Sequence, residues 1–126
     1  MKKKLIGIIT MICFVVMMSV PALAENTVFR VSTTSYTGIA SCKSSSSYYT
    51  VNYELYGSKK ATKMSCQVAW TYATGGTTTS ALDEKKSSSS MSGSKSNGPK
   101  NNYKTANVTF KATWNGYSNS SSAKAF

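Results

Sequence analysis

Lysine is the side chain that could do most chemistry in this sequence. Between Glu25 and Phe126, Arg30 and eleven lysines face only Glu25, Glu54, Asp83 and Glu84, a net charge of +8, and there is no histidine. A hydrolase built on a histidine base is therefore excluded. A carboxylate pair of the glycosidase kind would have to come from Glu54, Asp83 and Glu84, and the adjacent Asp83 and Glu84 would point to opposite faces of a strand. Ser-x-x-Lys occurs twice, at Ser92 to Lys95 and at Ser121 to Lys124. Both copies lie in serine-rich segments without the companion motifs or rigid helix that position such a nucleophile. A small exported hydrolase is the weakest of the readings that remain.

Binding is the class that survives. Lys59, Lys60 and Lys63 mark one end of an expected hairpin, and Lys85, Lys86, Lys95, Lys100 and Lys104 lie in or beside a long polar connection. Such lysines suit anionic lipids or cell-wall polyanions, drawn in by long-range attraction. They equally suit plain solubility. Nucleic acid is not expected as a partner, since no arginine-rich or base-reading module is present. Four tyrosines, Tyr48, Tyr56, Tyr103 and Tyr117, stand on polar parity or beside a turn, where they could stack glycans or form ordinary cross-strand pairs.

Cys42 and Cys66 are the two thiols after residue 24. In an exported domain an even count favours a disulfide, which would close a loop of about 25 residues and stabilise by roughly 3 kcal/mol in the chain-entropy model. The alternative is two buried free thiols. With no histidine and no C-x-x-C spacing, no metal or other cofactor is expected.

The elements that must position these residues read as strands. Leucine, isoleucine, valine and phenylalanine are scarce after residue 24, but eight tyrosines and two tryptophans can each bury on the order of 150 to 250 Å², so the expected core is largely aromatic. Tyr49, Val51, Tyr53 and Leu55 alternate with polar residues, as do Met64, Cys66, Val68 and Trp70, and again Ala106, Val108, Phe110, Ala112 and Trp114. Gly75-Gly76 and Asn115-Gly116 mark hairpin turns. An opening strand is expected over about 27 to 36, with a shorter one through Ile39 to Lys43. Ser87 to Asn102, rich in Ser, Gly, Asn and Lys, has no periodicity and is expected as a flexible loop. The fold class expected is all-β: a small antiparallel β-sandwich of about six or seven strands, immunoglobulin-like in architecture. The immunoglobulin signature itself is absent, because Trp70 follows both cysteines rather than lying between them.

Residues 1–24 read as a helical, cleavable signal peptide. Lys2, Lys3 and Lys4 precede an apolar run from Leu5 to Val20, Pro21 ends it, and Ala22-Leu23-Ala24 offers a small-x-small cleavage site before Glu25. An uncleaved anchor is the competitor, since Leu5 to Ala24 is long enough to span a bilayer, but no basic stop-transfer cluster follows. Cys13 would leave with the signal. These features describe one secreted β domain, residues 25–126, which is basic and non-enzymatic and acts at an anionic cell envelope, in its most specific form as a bacteriocin-like or antimicrobial factor. The alternative is an extracellular adhesion, matrix or carbohydrate-binding module.

Overall fold

The computed structural model describes residues 24–126. Residues 1–23 of the expected signal peptide, Ala22 among them, lie outside these residues, and Ala24 is the first residue of β1. Seven antiparallel strands follow one another: β1 (Ala24–Val31), β2 (Thr34–Ser44), β3 (Tyr49–Tyr72), β4 (Thr77–Thr79), β5 (Asp83–Asn97), β6 (Tyr103–Trp114) and β7 (Tyr117–Lys124). A short 3-10 turn at Lys100–Asn102 interrupts them.

One sheet, rather than the two stacked sheets expected, holds all seven strands. The reason is the length of β3. Its first part pairs with β2 from Tyr49 to Gly57, its second part pairs with β6 from Lys63 to Tyr72, and β5 runs beside both. The register against β5 slips between Tyr56 and Ala61, where residues 57–60 of β3 oppose a single residue, Ser89, of β5. A bulge of this kind bends and twists its strand, so the sheet curls until it is nearly a barrel. At the seam β1 and β7 meet through side chains. Thr27 Oγ1 lies 2.5 Å from Ser121 Oγ, Asn119 Nδ2 donates to the Arg30 carbonyl at 3.0 Å, and the Lys124 amide donates to Glu25 Oε1 at 2.6 Å.

The alternating positions point as expected. Val51, Tyr53 and Leu55, then Met64, Cys66, Val68 and Trp70, then Ala106, Val108, Phe110 and Ala112 are all buried in one core. Five aromatics, Phe29, Tyr36, Tyr53, Trp70 and Phe110, are buried with them. The Asn115-Gly116 hairpin is also present, with both residues at positive φ (53° and 82°), the backbone that a two-residue turn between twisted strands requires.

Three expectations are corrected. The opening strand ends at Val31, and Ser32 at φ 58° turns the chain into β2, so a second hairpin replaces the longer strand. Ser87 to Asn102 is not a flexible loop: β5 continues to Asn97 because β3 supplies backbone partners from Tyr49 to Tyr56 and Met91 is buried opposite Leu55. Serine-rich sequence conceals this edge strand, since its ladder partner lies far away in the chain. Finally, Cys42 and Cys66 are both free and buried. Cys42 neighbours Val51 on the first part of β3, whereas Cys66 lies beyond the bend, between Phe110 and Asp83.

Candidate anionic-ligand surface

The bulge that bends the sheet also gathers lysines. Lys59 and Lys60 lie within it, Lys63 follows on β3, and the register sets Lys63 opposite Lys86 and Met64 opposite Lys85. All five lysines are exposed. Two contacts fix the bulge. The Tyr36 ring lies against Gly57, where any Cβ would overlap it, and the Tyr36 hydroxyl donates to the Lys59 carbonyl at 3.1 Å. A buried aromatic of β2 thus holds the backbone that displays Lys59 and Lys60.

The remaining nominated lysines are elsewhere. Lys95 forms an ion pair with Asp83 at 3.2 Å. Lys100 donates to the Ser45 carbonyl at 3.0 Å and sits 5.4 Å from the centre of the Tyr49 ring. Lys104 is exposed at the start of β6. Four of the eight residues, Lys59, Lys60, Lys63 and Lys86, therefore gather at the bend, while Lys85, opposite the buried Met64, lies on the other face of β5 and three more lie elsewhere.

Carboxylates stand close to this group, which sequence reasoning missed. Glu54, Asp83 and Glu84 line a cavity of about 320 Å³ together with Lys85, Ser90 and Ser92. The antiparallel return of β5 along β3 brings them together, and no local pattern announces it. Each carboxylate has a separate fate. Glu84 pairs with Lys63 at 3.6 Å. Asp83 accepts from the Tyr53 hydroxyl and from Lys95, and these donors, Tyr53 first, hold its carboxyl below the ordinary range. Glu54 has Oε1 buried without a partner among the described residues, and burial pushes its carboxyl up. The same neighbourhood raises the Tyr53 hydroxyl, chiefly through burial and then through its bond to Asp83. Cys66, buried beside Asp83, is pushed up to about 12 and is inert as a nucleophile at neutral pH. Among the described residues no group of three His, Cys, Asp or Glu side chains could hold a metal ion.

The four nominated tyrosines do not share a surface. Tyr103 stacks on Tyr72 (centroids 5.2 Å apart) and tilts against Trp70 at 5.6 Å, while Tyr49 stacks on Phe126 at 4.0 Å. Tyr48, more than half exposed, lies in the turn that precedes β3. The rings of Tyr49, Phe126, Trp70, Tyr103 and Tyr72 form one continuous group, and Tyr48 makes no ring contact among the described residues. Tyr117 is exposed at the Asn-Gly hairpin, opposite Trp114, and Tyr56 lies at the edge of the bulge.

Comparison with protein-family models, with curated proteins and with solved structures gave no match. No helix among the described residues is long and apolar enough to cross a membrane.

Proposed function

We propose that the protein is exported and acts by binding an anionic cell-envelope surface, without catalysis, as a bacteriocin-like factor. The observation that carries this reading is the Lys63–Lys86 pair. Like charges directly opposite on neighbouring strands are destabilising, yet here they sit beside Lys59 and Lys60, and among the described residues only Glu84 is paired into the group. A charge concentration that works against the fold, presented on a bulge anchored by Tyr36, suits an anionic partner better than it suits stability. Attraction of this kind acts at long range and weakens with salt.

The test is to add purified protein to envelope preparations from related bacteria at low and at high ionic strength and to follow both co-sedimentation and growth. Salt-sensitive capture with growth inhibition is expected. Protein that stays in the supernatant at low salt overturns the reading.

A second reading, carbohydrate binding, is favoured by the aromatic group of Tyr49, Tyr72 and Tyr103 and by the exposed Tyr48 in the turn before β3. It predicts glycan binding that is insensitive to salt and is lost on Tyr48→Ala.

A further inference from the structure

Across the outward face of the second part of the sheet, one row of side chains crosses four strands. Glu84 of β5 stands opposite Ser65 of β3, Ser65 opposite Lys111 of β6, and Lys111 opposite Ser120 of β7. This row floors a cavity of about 280 Å³, walled by Lys63 on one side and by Leu82 and Gln67 on the other. It lies outside the bulge that displays Lys59 and Lys60, although Lys63 and Glu84 take part in both regions.

The row holds donors that the fold leaves unused. Ser65 is only 8% exposed and lines the cavity, yet its hydroxyl has no hydrogen-bond partner among the described residues. Lys111 has no carboxylate partner there, and the Ser120 hydroxyl is likewise unengaged. A cavity bordered by two hydroxyls that make no hydrogen bond within the fold, with an ammonium beside them that no carboxylate neutralises, is arranged for an acceptor-rich anion. Acceptors are present too. Gln67 donates through Nε2 to the Ser80 carbonyl at 3.0 Å, which leaves its amide oxygen for a ligand hydroxyl, and Glu84 contacts Lys63 through Oε2. Leu82, 48% exposed, adds an apolar wall.

We infer that this cup binds a phosphate ester of a small polyol or sugar. Lys111 and Lys63 meet the phosphate, Ser65 and Ser120 donate to its oxygens, Gln67 and Glu84 accept from the carrier's hydroxyls, and Leu82 lies along its carbon face. The inference deepens the envelope-binding proposal and rests on it for the source of the ligand, which is a wall polymer or a lipid headgroup carrying the same glycerol phosphate chemistry.

The test is an NMR titration of the purified protein with sn-glycerol 3-phosphate, and with inorganic phosphate for comparison. Saturable shifts are expected at Ser65, Thr109, Lys111 and Ser120, with about tenfold weaker binding in Lys111→Gln, the loss of one charge-assisted contact, and none in Lys100→Gln. Absence of saturation, an unchanged response in Lys111→Gln, or equal affinity for inorganic phosphate would overturn the inference. Soluble poly(glycerol phosphate) and phosphatidylglycerol vesicles then separate the sources, since only the true source loses binding in Lys111→Gln. Envelope capture with a silent cup sinks this inference alone, whereas a saturable cup without envelope capture sinks the functional proposal alone.

Discussion

Lys63 of β3 and Lys86 of β5 stand directly opposite one another, both exposed, at the point where the sheet bends. Their repulsion separates binding from stability. Lys86→Glu is expected to raise stability by about 0.5 kcal/mol, the usual scale of a cross-strand charge pair, and to weaken capture by anionic vesicles. Denaturant unfolding and vesicle co-sedimentation of the same sample check both halves. A variant that loses stability and binding together would mean that Lys86 is structural.

Asp83 and Glu54 predict opposite pH behaviour. The Tyr53 hydroxyl and then Lys95 hold the Asp83 carboxyl below its ordinary value of 3.8. Its contribution is therefore complete above that value and is lost as the pH falls through the lower folded one. Asp83→Asn is expected to cost about 1 kcal/mol at neutral pH, with allowance for screening at a partly exposed pair, and to remove that acid-side loss.

Glu54 runs the other way. Burial raises its carboxyl above the ordinary 4.5, so the folded chain holds this proton more tightly and stability falls as the pH rises from that value through the folded one. Glu54→Gln is expected to flatten this fall and to raise the melting temperature at neutral pH. Thermal melts of both variants across pH 3 to 8, roughly the span over which carboxylates titrate, provide the check.

Gly38 of β2 packs across the core against the Phe110 ring of β6, and a Cβ at that position would overlap the ring. Gly38→Ala is expected to destabilise by about 1 to 3 kcal/mol, the cost of overpacking. Adding Phe110→Leu should recover part of the loss. If Gly38→Ala is neutral, the two strands do not face each other as described.

Both thiols are buried and free, and the Cys66 thiol is raised to about 12. A thiol reagent at neutral pH is expected to leave Cys42 and Cys66 unlabelled in the folded protein and to label both after denaturation without a reductant. Labelling of neither after denaturation would restore the disulfide.

The sequence displays the periodicity of β3 and β6 because alternate residues there face a core on one side and solvent on the other, and Tyr49 to Leu55 and Ala106 to Ala112 keep that pattern without interruption. The Asn115-Gly116 turn is legible because its positive φ angles select those residue types. Legibility stops where partners are distant. β5 is an edge strand paired only with β3, so its serines need not alternate with apolar residues, and just Met91 and the close approach of Gly93 to Tyr53 betray it. The site follows the same division. Lysine content is visible, but the grouping of Lys59, Lys60 and Lys63 with Lys86, and the row from Ser65 through Lys111 to Ser120, depend on register that no local pattern encodes.

The lysines of the bend carry the envelope-binding proposal. Binding of the protein to anionic vesicles should be measured against salt for the parent, for Lys59→Gln/Lys60→Gln/Lys86→Gln, and for Lys100→Gln/Lys104→Gln. The predicted result is a steep salt dependence that flattens with loss of binding in the first variant and persists in the second. Equal losses in the two variants, or binding that ignores salt in the parent, would contradict it.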